Sequence, residues 1–339
     1  MFNRRRIIPS AQISFNMTQE TMDLYKSLLR DKLSSIQHDL KQPWLAATHF
    51  PTNLSGREYN EMNGLMLSLQ AEKEGYDLPF WATFDRIAAL NYTLDKQGKR
   101  KEIIDMPKVT INEGAKSFPV MLQTFSVESE SGEQVGYDEY RKMPEERREE
   151  FKVMPTYQMY NVFNVAAQTN IKEARPELYA RLQRRSEDVS CPFSIIDRMI
   201  NKSKWVCPIK PTCGDNNYYS ISKDEIVVSD EGWIDDAESF YTELFHEMAH
   251  STGAVGRLNR LVPSSFGSKE YAREELFAEL TAAVVAQHYG MAKCIKEDSI
   301  AYLRRWIELL DDFNFVMPLL IDMKKADSMI INNIEEHKK

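Results

Sequence analysis

Phe240-Tyr-Thr-Glu-Leu-Phe-His246-Glu247-Met-Ala-His250-Ser-Thr-Gly253 is the stretch on which the reading of this chain turns. Phe240, Leu244 and Met248 recur at four-residue steps, and Asp235 with Glu238 makes a capping-box-like start. The spacing therefore predicts a helix that stops at Gly253. On a helix, His246 and His250 stand about 40° apart around the axis and project side by side. Two imidazoles so placed can hold one metal ion, with Glu247 beside them to take a proton from a water at that ion. Leu244, Phe245 and Met248 imply a helix buried on most sides. Two histidines and a glutamate in that setting need partners, and a metal supplies them.

A third ligand has to come from elsewhere. The next helical stretch, about Lys269–Tyr289, carries Glu274, Glu275 and Glu279, with small residues Ala278, Ala282 and Ala286 in a stripe that allows close packing. Glu275 continues that stripe, Glu279 lies one turn beyond it, and Glu274 is rotated away towards Phe277 and Thr281. The expectation is Glu275 as third ligand and Glu279 as the acceptor that orients one histidine through its other ring nitrogen. Cys207 and Cys213 are separated by five residues, wider than a zinc knuckle, and read as ordinary thiols. His288 reads as structural, and His38, His49 and His337 have no companions in the sequence. One zinc per chain, with Glu247 as general base of a hydrolase, is the chemistry these residues describe. The preceding strand, Tyr218–Val228, is placed to present an edge to an extended peptide.

Around this centre the composition is that of a globular protein: 339 residues, 42% hydrophobic and 28% charged. That length favours two domains. No apolar run reaches membrane-helix length, and no secretion signal is evident, so a cytoplasmic protein with free thiols at Cys191, Cys207, Cys213 and Cys294 is expected. The net charge of −8 argues against a protein coated in basic surface for nucleic acid. A local groove remains compatible with the near-neutral first 125 residues.

Thr18 to Leu40 is periodic as an amphipathic helix, and Tyr59–Ala71 follows after a Pro- and Gly-broken stretch. Lys108–Ile111 and Phe118–Val127 read as strands, Ser126–Glu150 as a solvated surface insertion, and Tyr157–Val165 as a strand again. Ile171–Lys204 looks helical. Beyond Asp235 only helices are expected, separated at Gly253–Gly267 and Gly290. The pattern is α+β in two domains, the second a strand region followed by helices carrying the His-Glu-x-x-His stretch.

Taken together, several motifs resemble ArdC-type antirestriction proteins. In the second half these are His246-Glu-Met-Ala-His250-Ser-Thr-Gly253, Arg257-Leu-Asn-Arg260, Phe266-Gly267 and Tyr271-Ala-Arg-Glu-Glu275-Leu-Phe-Ala-Glu-Leu280. In the first half they are Gln42-Pro43-Trp44, Pro51-Thr-Asn53, Gly56-Arg57-Glu-Tyr59, Asn63-Gly-Leu-Met-Leu67, Trp81-Ala-Thr-Phe84, Gly114-Ala-Lys116 and Tyr160-Asn-Val-Phe-Asn164. The resemblance implies a single-stranded-DNA-binding N-terminal domain at 15–170, a helical connector at 171–204 and a zincin-like metallopeptidase domain at 205–330. It also implies a protein of plasmids and other mobile elements that shields DNA from restriction, with a restriction enzyme or another protein as a further partner. Trp44, Tyr59, Trp81 and Phe84 are the candidate stacking faces, and Arg57, Asn63 and Lys116 candidate DNA contacts, supplemented by Arg86, Lys99, Arg100, Lys101 and Lys108. Leu90–Lys108 has the look of an insertion. The rival readings are a DNA-recruited zinc peptidase acting on DNA-bound proteins, a non-enzymatic DNA-binding protein braced by zinc, and a scaffold without DNA.

Overall fold

The computed structural model describes residues 18–46, 49–187, 193–212, 216–229, 237–262, 264–295 and 297–337. Helices and strands are interleaved in the expected α+β manner. The chain forms two compact units: a smaller one built on Ser117–Val162, and a larger one of Asp23–Lys116 with Phe163–Lys339.

In the larger unit, the helix Gln19–His38 buries Tyr25, Leu28, Leu29, Leu33 and Ile36, the stripe its periodicity demands. The helix Glu61–Glu74 starts at Asn60, whose side chain accepts from the Asn63 N–H at 3.0 Å, and ends on Gly75 in the left-handed region. Its interior Gly64 admits the Phe50 ring, for a Cβ there would lie 2.0 Å from Phe50 Cζ. Strand β1 (Thr52–Asn53) pairs in parallel with β2 (Phe80–Ala82), which pairs antiparallel with Phe163–Asn164. Leu78, Phe80, Ile87, Val109, Val165 and Ile171 close a core beside them.

Within Leu90–Lys108, β3 (Tyr92–Leu94) and β4 (Arg100–Glu102) pair as a hairpin whose strands are exposed. Lys108–Ile111, expected as a strand, is not one. Two asparagine amides replace the strand partner: Asn91 both accepts from the Val109 N–H (2.7 Å) and donates to its carbonyl (2.9 Å). Asn170 accepts from the Thr110 N–H and donates to the Lys108 carbonyl.

The smaller unit is a long antiparallel ribbon of β5 (Phe118–Ser129) and β7 (Phe151–Asn164) as far as Val162, paired from Phe118↔Val162 to Ser129↔Phe151, with β6 (Gln134–Val135) on β5. Much of the stretch expected as a solvated insertion is therefore strand and helix. Val127 and Phe151 are buried, and Tyr137, on the short helix Tyr137–Lys142, stacks on Phe125 at 4.3 Å between centroids. That apolar contact gives a polar sequence reason to keep its pairing.

Returning to the larger unit, helices Ile171–Ala174, Pro176–Glu187 and Phe193–Asn201 occupy the stretch read as helical. A three-stranded sheet follows, in the order β8 (Ile209–Thr212), β10 (Glu225–Ser229), β9 (Tyr218–Ser220). The single strand expected at Tyr218–Val228 is thus two, reversed through a turn in which Asp224 takes φ 50° and accepts from the Tyr219 hydroxyl at 2.6 Å. Helices Ala237–Thr252, Lys269–His288, Leu303–Leu309 and Phe313–Glu335 complete the unit. Asp235, expected in a capping box, lies outside the described residues. Its intended partner Glu238 accepts instead from the Ala292 N–H at 2.6 Å.

Candidate metal centre

The helix Ala237–Thr252 is buried over most of its surface and packs against Lys269–His288, whose Ala278, Ala282 and Ala286 are fully buried. Small side chains let the backbones approach, which brings the acids of one helix to the histidines of the other. Nε2 of His246 and Nε2 of His250 face each other at 3.1 Å. Glu275 lies 3.4 Å from His246 Nε2 through one oxygen and 3.7 Å from His250 Nε2 through the other. A four-coordinate ion with bonds of about 2.0–2.1 Å separates its ligand atoms by roughly 3.3 Å, so these spacings suit one ion touching all three residues. Among the described residues this trio is the one cluster with such an arrangement. Glu247 and the trio line a cavity of about 660 Å³ with Tyr218, Tyr219 and Tyr271.

Each imidazole is backed by a second carboxylate. Glu279, fully buried, places Oε1 3.5 Å from His246 Nδ1. Glu274 takes the corresponding place at His250, 3.1 Å from Nδ1, although helical phase alone turns it away. Arg260 explains the difference. Its guanidinium grips both Glu274 oxygens at 2.8 Å, donates to the Ala249 carbonyl at 3.1 Å, and stacks 3.4 Å above Phe277. Gly253 makes room for it, since a Cβ there would lie 2.9 Å from Arg260 Nη2 and 2.8 Å from Leu261 Cγ. Arg257 ties the end of the same helix to the sheet, donating to the Ser251 carbonyl at 2.6 Å and to Asp224 at 2.5 Å.

The electrostatics ask for a cation. Burial works against a charged His250, yet its hydrogen bond to Glu274 and the charges of Glu275, Glu247 and Glu274 outweigh that and raise its pKa to about 9. Burial likewise opposes the Glu275 carboxylate, but His246 and His250 hold its pKa down to about 2. Two imidazoles and a carboxylate in an acid-lined cleft fit a divalent ion of the zinc type.

The comparisons with known proteins agree with this geometry. Residues 22–163 match the model of the N-terminal domain of the anti-restriction factor ArdC, and residues 196–317 that of a zincin-like metallopeptidase. The chain thus joins an ArdC-like N-terminal domain to a zincin-like domain. Its architecture is that of ArdC from plasmid R388: the metal-free crystal structure superposes with a TM-score of 0.62 at 23% identity over 94% of this chain and all of that one. The Mn(II)-bound form gives 0.60 at 21%, over 92% and 98%. An uncharacterised Sinorhizobium fredii protein, y4eC, is 24% identical over 86% of either chain. An Escherichia coli DNA primase TraC is 32% identical over 37% of this chain, which spans only 8% of that primase. The Mn(II) complex is that of the R388 protein.

The candidate DNA residues divide sharply. Trp44, Asn63 and Trp81 are each 1% exposed and offer no face to a base, so stacking on the two indoles is withdrawn. Tyr59 is half-buried, its hydroxyl donating to the Trp81 carbonyl at 3.1 Å. Phe84 is 62% exposed, and Arg57, Arg86 and Lys116 are exposed with it. Trp44 instead sends its indole N–H to Glu279 at 2.8 Å, a contact no local pattern announces. Of the cysteines, Cys207 is a buried free thiol raised to about 11 by burial, and Cys294 is a free exposed one. Cys191 and Cys213 lie outside the described residues.

Proposed function

We propose that this protein is an antirestriction factor of a mobile element, binding single-stranded DNA through its ArdC-like domain and carrying a metal-dependent peptidase site in its zincin-like domain. The observation that carries the reading is the convergence of His246, His250 and Glu275 beside Glu247, downstream of an ArdC N-terminal domain. The R388 plasmid origin of the similar structures supports the mobile-element setting. No helix among the described residues is long and apolar enough to cross a membrane, consistent with action in the cytoplasm on DNA as it enters. The chain divides functionally near 15–170, 171–204 and 205–330.

His246, His250 and Glu275 would hold one ion, zinc or a similar divalent metal. When bound, that ion supplies the positive charge that polarises a carbonyl and acidifies a water. Glu247 takes the proton of the attacking water and passes it to the leaving amine. The outer edge of β9 runs beside this cleft and gives an extended peptide, such as a segment of a restriction enzyme, a backbone to pair with. On the N-terminal side, Phe84 supplies a ring for stacking a base, and Arg57, Arg86 and Lys116 supply charge for phosphates.

The test is metal content and proteolysis of the full chain, with and without single-stranded DNA, for wild type and Glu247→Gln. About one ion per chain in both proteins, with cleavage confined to wild type, is expected. A wild type that takes up no metal, or a variant that still cleaves, overturns the catalytic assignment.

A further inference from the structure

We infer that Trp44, far upstream of the metal-site helices, is a positioning residue of the metal centre, acting with Lys293 to aim Glu279 at His246. This rests on the metal site proposed above. Glu279 is fully buried, and a carboxylate at that depth keeps one orientation only if its oxygens are engaged. Its Oε2 accepts the Trp44 indole N–H at 2.8 Å and has the Lys293 ammonium 3.7 Å away. Lys293 is also buried and is shared with Glu243 at 3.2 Å, so its charge is balanced where it stands. With Oε2 held from that side, Oε1 faces His246 Nδ1 at 3.5 Å.

The two donors are themselves locked together. The Trp44 backbone N–H donates to the Lys293 carbonyl at 2.7 Å, and Pro43 forms a β-bridge with Cys294. The segment Pro43–Trp44 therefore lies across the back of the histidine helix's partner as a short strand-like clamp. A carboxylate that holds the outer nitrogen of a ligating imidazole fixes the ring and strengthens its inner nitrogen as a donor. Losing the clamp frees Glu279 to turn and leaves His246 poorly aimed, with none of the three ligands touched.

The experiment reads Zn(II) affinity of the full chain by competition with a chromophoric chelator. Trp44→Phe keeps an aromatic ring but removes the N–H. Trp306→Phe is the matched control: its indole is fully buried, lies 6.2 Å from the Trp44 ring, and donates at 2.7 Å to the Ala272 carbonyl rather than to Glu279. Trp44→Phe is expected to weaken Zn(II) binding about tenfold, and Trp306→Phe less than about twofold on the same scale. Lys293→Met, measured alongside, is expected to weaken binding as Trp44→Phe does, and stands in for it if that variant does not fold. Equal affinities for wild type and either folded clamp variant, or equal losses in Trp44→Phe and Trp306→Phe, overturn the inference while leaving the metal site standing. A wild type that binds no Zn(II) overturns the site itself.

Discussion

Proton and metal ion compete for the same imidazole. In the metal-free protein, burial alone would strip the proton from His250, but the hydrogen bond to Glu274 and the negative charges of Glu275, Glu247 and Glu274 raise its pKa from 6.5 to about 9. A pKa raised on folding contributes stability that is fully present below pH 6.5 and is lost as the pH climbs through 9. At about 1.36 kcal/mol per tenfold, the contribution is on the order of 3 kcal/mol. Glu275, held near 2, stays ionised throughout that window. Binding an ion through His250 Nε2 must expel the proton, so the apparent affinity should fall about tenfold for each pH unit below 9. Calorimetric titration of the metal-free chain with Zn(II) at pH 6.5, 7.5 and 8.5, in buffers of different ionisation heat, measures both the affinity and the protons released. Close to one proton per ion at the two lower pH values is expected, with affinity rising across the series. A flat affinity and no proton release would refute the reasoning, because the acid cluster would then not be holding His250 charged.

Other outcomes follow from the same contacts. Gly253→Ala places a methyl 2.8 Å from Leu261 Cγ and 2.9 Å from Arg260 Nη2. It should cost about 1–3 kcal/mol in chemical denaturation and weaken metal binding by loosening Glu274; a variant unchanged in both removes Arg260 from the site. Gly64→Ala meets the Phe50 ring and should cost about 1–3 kcal/mol as well, with much of the loss recovered when Phe50 is cut back to Leu, as read from denaturation midpoints. Phe84→Ala should weaken single-stranded DNA binding by about 1–3 kcal/mol if the ring stacks a base. Unchanged fluorescence anisotropy would take Phe84 out of the interface.

What the sequence discloses of the site is what short-range periodicity carries. His246 and His250 are one turn apart, and Glu275 sits on a stripe of small residues, so helical phase alone assembles the trio. Glu274 escapes the same logic because its direction is set by Arg260, which comes from an irregular loop and reaches back over the helix end. Trp44 escapes for a stronger reason. In isolation an indole beside a proline reads equally well as a stacking platform, and its partner lies 235 residues away. The fold behaves alike. The helix Gln19–His38 follows its apolar stripe, whereas Lys108–Ile111 loses its strand because two asparagine amides, Asn91 and Asn170, intercept its backbone. Glu128 and Lys152 are as polar as any loop, yet they pair in β5 and β7 because of neighbours such as Val127 and Phe151.

The clamp at Trp44 has a bearing on how such proteins are divided for study. The region matching a zincin-like metallopeptidase starts at residue 196, and an expression fragment would naturally begin near there. That cut leaves the indole on the discarded piece and strips a donor from a carboxylate buried beside the histidines. The matched region and the packed body around the histidines are therefore different objects here: the second includes Trp44, from the first half of the chain. A fragment that bound metal weakly would then report on where the cut fell, and a preparation meant to read the metal site has to keep Pro43–Trp44.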